Sequence, residues 1–73
     1  MNMEARIARL RALLSENLVD ALLVTKEENV HYFSGFRGDD TVLLISADKA
    51  ILVTDFRYAE QSRAQAPLFT LKE

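Results

Sequence analysis

The stretch "DALLVTKEENVHYFSGFRGDDTVLLIS", residues 20–46, decides the fold. It opens on a short, continuous apolar run, "DALLVT" (20–25), with no polar alternation. Such a run is the pattern of a strand buried on both faces, as at the centre of a sheet with helices on either side. Thr25-Lys26-Glu27-Glu28 then matches the Thr-x-x-Glu capping box and predicts the start of a short helix carrying Val30, Tyr32 and Phe33. Ser34-Gly35 closes that helix, the glycine supplying the positive φ of a helix exit. After the turn at Arg37-Gly38-Asp39-Asp40, "TVLLIS" (41–46) reads as a second strand.

On either side of this stretch the same alternation of elements continues. Met3, Ile7, Leu10 and Leu14 recur at helical spacing and, with Leu13 widening the stripe, predict an amphipathic helix over 3–16. Asn17 is the expected left-handed stop, with Leu18 and Val19 folding back over the last turn. Downstream, "AILVT" (50–54) pairs with 41–46 through Ala47-Asp48-Lys49, a loop short enough for an antiparallel hairpin. Thr54 or Asp55 caps a second amphipathic helix reaching about Ala66, with Tyr58, Ala59, Ser62 and Ala66 on a shallow face. Pro67 ends it, and "LFTLKE" alternates like a further strand. The resulting order, helix, strand, short helix, strand, strand, helix, strand, predicts a single α/β domain over 1–73, a mixed sheet flanked by helices. A chain that stops at a strand leaves a sheet edge to be paired or covered, so the domain is expected to be incomplete at its C-terminus and to self-associate.

Bulk properties exclude several classes of function. Nine Lys and Arg against eleven Asp and Glu give a net charge of −2 and a pI near 5.3, which argues against nucleic acid as a partner. Arg6, Arg9 and Arg11 are expected on a solvated helix face beside Glu4 and Glu16. No apolar run approaches a membrane span and no secretory signal is present, so no membrane partner and a cytoplasmic location are expected. With no cysteine, neither a disulfide nor a Cys/His zinc cluster can staple a core that at this size yields roughly 3–5 kcal/mol.

Residues 29–40, "NVHYFSGFRGDD", concentrate the only histidine, both glycines, an arginine and two aspartates. Metal binding needs three or four converging ligands, and Asp39 and Asp40 are adjacent residues of a kind that turns favour. Ser34 lies three residues from His31, without an assignable third member of a triad, and no glycine series cradles a phosphate. His31 reads as a structural or surface residue, and the 73 residues hold no credible catalytic set. Gly35 and Gly38 bracket Phe36-Arg37, and two readings of that bracket stand. One puts an aromatic and an arginine at a loop tip, as an interface anchor or carboxylate clamp. The other lays Phe36 over the sheet edge and leaves Arg37 solvated.

In order and spacing, "RIARLRALLSENLVDALLVTKEENVHYFSGFRGDDTVLLIS" followed by "ILVTDFRYAEQ" resembles the start of the Xaa-Pro peptidases, the prolidase, aminopeptidase P and creatinase family. Asn-x-x-Tyr-x-x-Gly-Phe at 29–36 and Asp-x-Arg-Tyr at 55–58 are its most specific parts, and the likeness runs from about residue 5 to residue 66. It implies the smaller, ribonuclease-H-like N-terminal domain of a two-domain metallopeptidase of the M24 family. Two divalent ions (Mn, Co or Zn) belong by that resemblance to a catalytic pita-bread domain absent from this chain, and no cofactor is assigned to these residues. The missing catalytic domain, a peptide substrate and a homo-oligomeric partner follow as expected partners. The same resemblance makes the loop after Tyr32, with Tyr32, Phe36 and Arg37, the candidate for the active-site rim or subunit interface, and carries nothing over to His31. Two other functions are compatible with the residues: a free-standing module that holds a small carboxylate at Arg37, and a dimerisation domain of a creatinase-like homologue.

Overall fold

The computed structural model describes residues 2–38 and 40–72. Helix α1 (Met3–Glu16) leads to strand β1 (Ala21–Val24), helix α2 (Glu27–Ser34), the hairpin β2 (Val42–Ser46) and β3 (Ala50–Val53), a 3-10 turn (Phe56–Tyr58), helix α3 (Ala59–Gln65) and strand β4 (Thr70–Lys72). The strands form one mixed sheet in the order β1-β2-β3-β4, antiparallel except for the parallel pair β3-β4. This is the expected α/β architecture.

Strand alternation divides the sheet into two unlike faces. On one, Val24 opposes Leu43, which opposes Leu52 across the register, with Ile45 beside them. These four are buried together with Ile7 of α1, Val30 of α2, Phe36 and Ala66, and Leu10, Phe33, Tyr58, Phe69 and Leu71 pack around them. Each large aliphatic side chain so placed contributes about 1.5–3 kcal/mol. On the other face Leu23, Leu44 and Val53 remain open to solvent. The expectation that β1 lies at the sheet centre, buried on both faces, is therefore corrected: β1 is an edge strand and only Val24 in it is buried. An unbroken apolar run records that both faces are apolar, not that both are covered.

Local chemistry sets the element ends. Asn2 caps α1, its Oδ1 accepting from the Ala5 N–H at 2.8 Å. The left-handed residue at the other end is Leu18 (φ 55), not Asn17, whose φ is −96. The N–H groups of Val19 and Leu18 donate to the carbonyls of Leu14 and Ser15, the paired bonds of a Schellman ending. Asn17 is instead used as a side-chain donor, Nδ2 to the Leu13 carbonyl. Leu18 does not fold back on the helix; its side chain is 92% exposed. The capping box is also not formed: α2 begins after Lys26, and no side chain caps it. Asp55 does cap, accepting from the Arg57 N–H, but what it starts is the 3-10 turn that precedes α3.

Two arginines assigned by sequence to a solvated face are structural. Arg11 donates from Nε to the Ser46 carbonyl at 2.7 Å and from Nη2 to the Lys49 carbonyl at 3.0 Å, tying α1 to the hairpin turn. Arg6 donates from Nη1 to the Tyr32 carbonyl at 2.8 Å, tying α1 to the end of α2. At the hairpin's open end the buried hydroxyls of Thr41 and Thr54 meet at 2.9 Å. Among the described residues no helix is long and apolar enough to cross a membrane.

Candidate functional site

The site is the loop from Gly35 to Thr41, suspended between the end of α2 and the start of β2. Gly35 enters it at φ 82, its N–H bonded to the His31 carbonyl at 2.8 Å. A Cβ at Gly35 would lie 2.8 Å from Met3 Cε and 2.9 Å from the Gln65 carbonyl oxygen, so α1 and α3 close on it from two sides. Ser34, considered above as a partner of His31, is buried and fully used. Its Oγ donates to the Val30 carbonyl at 2.6 Å and accepts from the Phe36 N–H at 3.0 Å, which excludes a nucleophilic role.

Phe36 is not at a loop tip. It is 1% exposed, part of the core cluster, with its ring edge-on to Tyr58 at 6.0 Å. The ring folds back over Gly38, where a Cβ would sit 2.5 Å from Cε2. The second glycine of the bracket thus serves packing rather than chain reversal, and Phe36 is a core residue that fixes the loop from below. Arg37 is exposed, and it is its backbone that is held: the N–H donates to Gln65 Oε1 at 3.2 Å and the carbonyl accepts from Gln61 Nε2 at 2.6 Å. Gln61 and Gln65, bonded to each other at 3.2 Å, form a clamp on α3 that holds the Arg37 backbone while the side chain stays outside. Sequence reasoning missed this clamp, since nothing local links α3 to a loop more than twenty residues upstream. The nearest available signal was the polar i, i+4 pair on a helix whose other face is small.

Tyr32 lies half-exposed on the far side of α2, ring edge-on to Phe33 at 5.0 Å and beneath the Arg6 guanidinium at 4.3 Å. Of the three candidates, Tyr32 and Arg37 present surface and Phe36 does not; Arg37 alone projects from the loop. Asp39 lies outside the described residues. Asp40, at φ 53, lines with Thr25, Glu27, Gly38, Thr41 and Val42 an open groove of about 630 Å³ beside the loop. The groove offers carboxylates and hydroxyls. Among the described residues no three His, Cys, Asp or Glu side chains converge as a metal site. Next to Tyr58, the Arg57 N–H and guanidinium hold the Asp55 carboxyl below the ordinary carboxylate range, and the same pairing raises Arg57.

This geometry coincides with a known sequence profile. The profile of the Creatinase/Prolidase N-terminal domain matches residues 6–73. The chain belongs to that family. A creatinase/prolidase N-terminal domain accounts for the hairpin, the loop and the Asp-x-Arg-Tyr turn within one fold. The chain is 40% identical over 68 residues to a peptidase named YqhT from Bacillus subtilis, spanning 93% of this chain and 19% of that protein. It superposes on an Xaa-Pro dipeptidase from Bacillus anthracis with a TM-score of 0.90 at 38% identity, over 96% of this chain and 20% of the other. On the isolated N-terminal domain of the cytoplasmic peptidase PepQ from Mycobacterium tuberculosis the TM-score is 0.86 at 40% identity, over 92% of this chain and 53% of that domain. The chain thus spans about a fifth of the longer relatives and about half of a separately solved N-terminal domain.

Proposed function

We propose that this domain is the non-catalytic N-terminal part of a metal-dependent Xaa-Pro peptidase, and that in the whole enzyme it helps to form a homodimer and to build the rim of the active site. The observation that carries the reading is the close superposition on an Xaa-Pro dipeptidase at 38% identity. The family resemblance assigns the two divalent ions (Mn, Co or Zn) to a catalytic domain outside the 73 residues, and no chemical step is routed through this chain. A cytoplasmic location is proposed with it, as for the PepQ relative.

Arg37 is the rim residue. Its backbone is fixed by Gln61 and Gln65, so only the side chain has to be ordered when its guanidinium meets a peptide carboxylate. Tyr32 is the second interface candidate, held by Arg6. Phe36 acts only through the loop it anchors.

The test uses the longest polypeptide the reading frame encodes, loaded with Mn²⁺ and assayed on Xaa-Pro peptides. Arg37→Ala is expected to raise KM several-fold with kcat little changed, the signature of lost substrate binding. Equal KM values for the two proteins would remove Arg37 from the rim. Absence of Xaa-Pro hydrolysis in the unaltered long protein would leave the creatinase-like dimerisation domain as the reading.

A further inference from the structure

Arg37 lies outside every helix and strand, and its backbone is held by side chains 24 and 28 residues further along the chain. Gln61 Nε2 donates to the Arg37 carbonyl at 2.6 Å and to Gln65 Oε1 at 3.2 Å, which spends both of its N–H groups. Gln65 Oε1 also accepts from the Arg37 N–H at 3.2 Å, which fills both of its acceptor positions. Three bonds thus close a ring through the backbone of a single residue. The ring has a direction: position 61 donates twice and position 65 accepts twice.

The same side of α3 meets the rest of the loop. Tyr58, Gln61 and Gln65 follow one another at helical spacing, and the Tyr58 ring stands edge-on to Phe36 at 6.0 Å. The Gln65 carbonyl oxygen closes on Gly35, 2.9 Å from where a Cβ would lie. Ahead of Tyr58, Asp55 accepts from the Arg57 N–H at 3.0 Å and pairs with the Arg57 guanidinium at 3.3 Å. The Asp-x-Arg-Tyr turn therefore sets where α3 begins and, with it, the phase of its glutamines.

We infer that Gln61 is a positioning residue for substrate: its two donated bonds set the Arg37 peptide and so decide how often the guanidinium stands ready for a peptide carboxylate. This role rests on Arg37 being the rim residue, as proposed above. Without such bonds the loop spends part of its time elsewhere, and apparent affinity falls with the fraction of molecules in which Arg37 is in place. Gln65 shares the ring under a different requirement. Because it only accepts there, a carboxylate serves as well as an amide. At position 61 a carboxylate cannot donate, and it would face two acceptors, the Arg37 carbonyl and Gln65 Oε1. Exchange of Gln for Glu is thus tolerated at 65 and not at 61. Neither volume nor helix propensity, nearly equal for Gln and Glu, would produce that asymmetry.

The test uses the long polypeptide, loaded with Mn²⁺ and assayed on Xaa-Pro peptides, with hydrogen exchange at the Arg37 amide read separately without substrate. Gln61→Ala and Gln61→Glu are each expected to raise KM about three- to tenfold with kcat little changed. Both are also expected to speed exchange of the Arg37 amide, whereas Gln65→Glu leaves KM and exchange close to the parent's. Gln61→Ala combined with Arg37→Ala is expected to match Arg37→Ala alone, since a residue that works through Arg37 then has nothing left to position. A further rise of KM in that double variant, or equal effects of Gln61→Glu and Gln65→Glu, overturns the assignment. An Arg37 amide whose exchange ignores both Gln61 variants overturns it too, and that result needs no peptidase activity. Arg37→Ala with the parent's KM overturns the rim reading itself and takes the substrate role of Gln61 with it, even where exchange shows the ring intact.

Discussion

Substituting Gly38 with alanine should show whether Phe36 is a core residue or a loop-tip anchor. A Cβ at Gly38 lies 2.5 Å from Phe36 Cε2 and 2.6 Å from Cζ, whereas apolar carbons rest about 3.5–4.0 Å apart. The overlap is on the order of 1 Å, and the ring cannot retreat: it is 1% exposed and packed within the core, edge-on to Tyr58. Overpacking of this kind costs about 1–3 kcal/mol, a large share of the roughly 3–5 kcal/mol available to a domain of this size. Phe36→Leu removes the two clashing atoms and, as a large-to-small change in the core, costs roughly 1–2 kcal/mol by itself. The double variant should therefore be more stable than the sum of the single changes predicts, with a coupling of about 0.5–3 kcal/mol. Urea unfolding followed by far-ultraviolet circular dichroism measures all four corners, and an unchanged m-value licenses the comparison. A Gly38→Ala protein as stable as the parent, or strict additivity, would show that the ring does not lie over Gly38.

Three further outcomes are expected. Ser34→Ala removes an acceptor from the buried Phe36 N–H and is expected to cost about 1–3 kcal/mol in the same assay; a neutral change would mean the N–H finds another partner. Gly35→Ala meets both the left-handed φ and the Gln65 carbonyl oxygen, and is expected to destabilise by at least about 1 kcal/mol; equal unfolding midpoints would contradict the close approach. Asp55 has a depressed pKa, caused first by the Arg57 N–H, so its contribution is present above the ordinary value of 3.8 and lost as pH falls through the lower folded value. The stability gap between the parent and Asp55→Asn should accordingly be open at pH 7 and close in acid, and a gap constant with pH would exclude the cap.

Much of this fold was legible because strand and helix periods differ. "TVLLIS" and "AILVT" announce themselves as a hairpin, and the loop between them is too short for any other connection. Periodicity also placed α1, whose Ile7 and Leu14 are buried as expected. What it did not convey is which faces are covered: "ALLV" reads as a central strand and lies at the edge. The glycine exit of α2 at Gly35 is as expected, whereas the end of α1 is not, for a related reason. Asn17 has the better left-handed propensity, but the chain's reversal falls one residue later, where the backbone bonds to Leu14 and Ser15 impose it on Leu18.

At the site, two glycines around Phe36-Arg37 signal unusual backbone and leave two readings, a loop tip or a ring laid over the sheet edge with Arg37 solvated. The buried Phe36 and exposed Arg37 agree with the second. Only the structure shows that the second glycine admits an inward-turned ring. Tyr32 and Arg37 remain on the surface. Long-range partners such as the Arg6–Tyr32 and Arg37–Gln61 contacts leave no trace at short range, which is why the basic residues of α1 were read as solvated.

The central claim is that this domain serves an Xaa-Pro peptidase without performing its chemistry. Hydrolysis of an Xaa-Pro peptide with added Mn²⁺, measured for the 73 residues and for the longest polypeptide of the same reading frame, tests it most directly. Activity in the longer protein alone is the predicted result. Metal-dependent turnover by the 73 residues themselves would contradict it and return His31, Asp39 and Asp40 to the centre of the question.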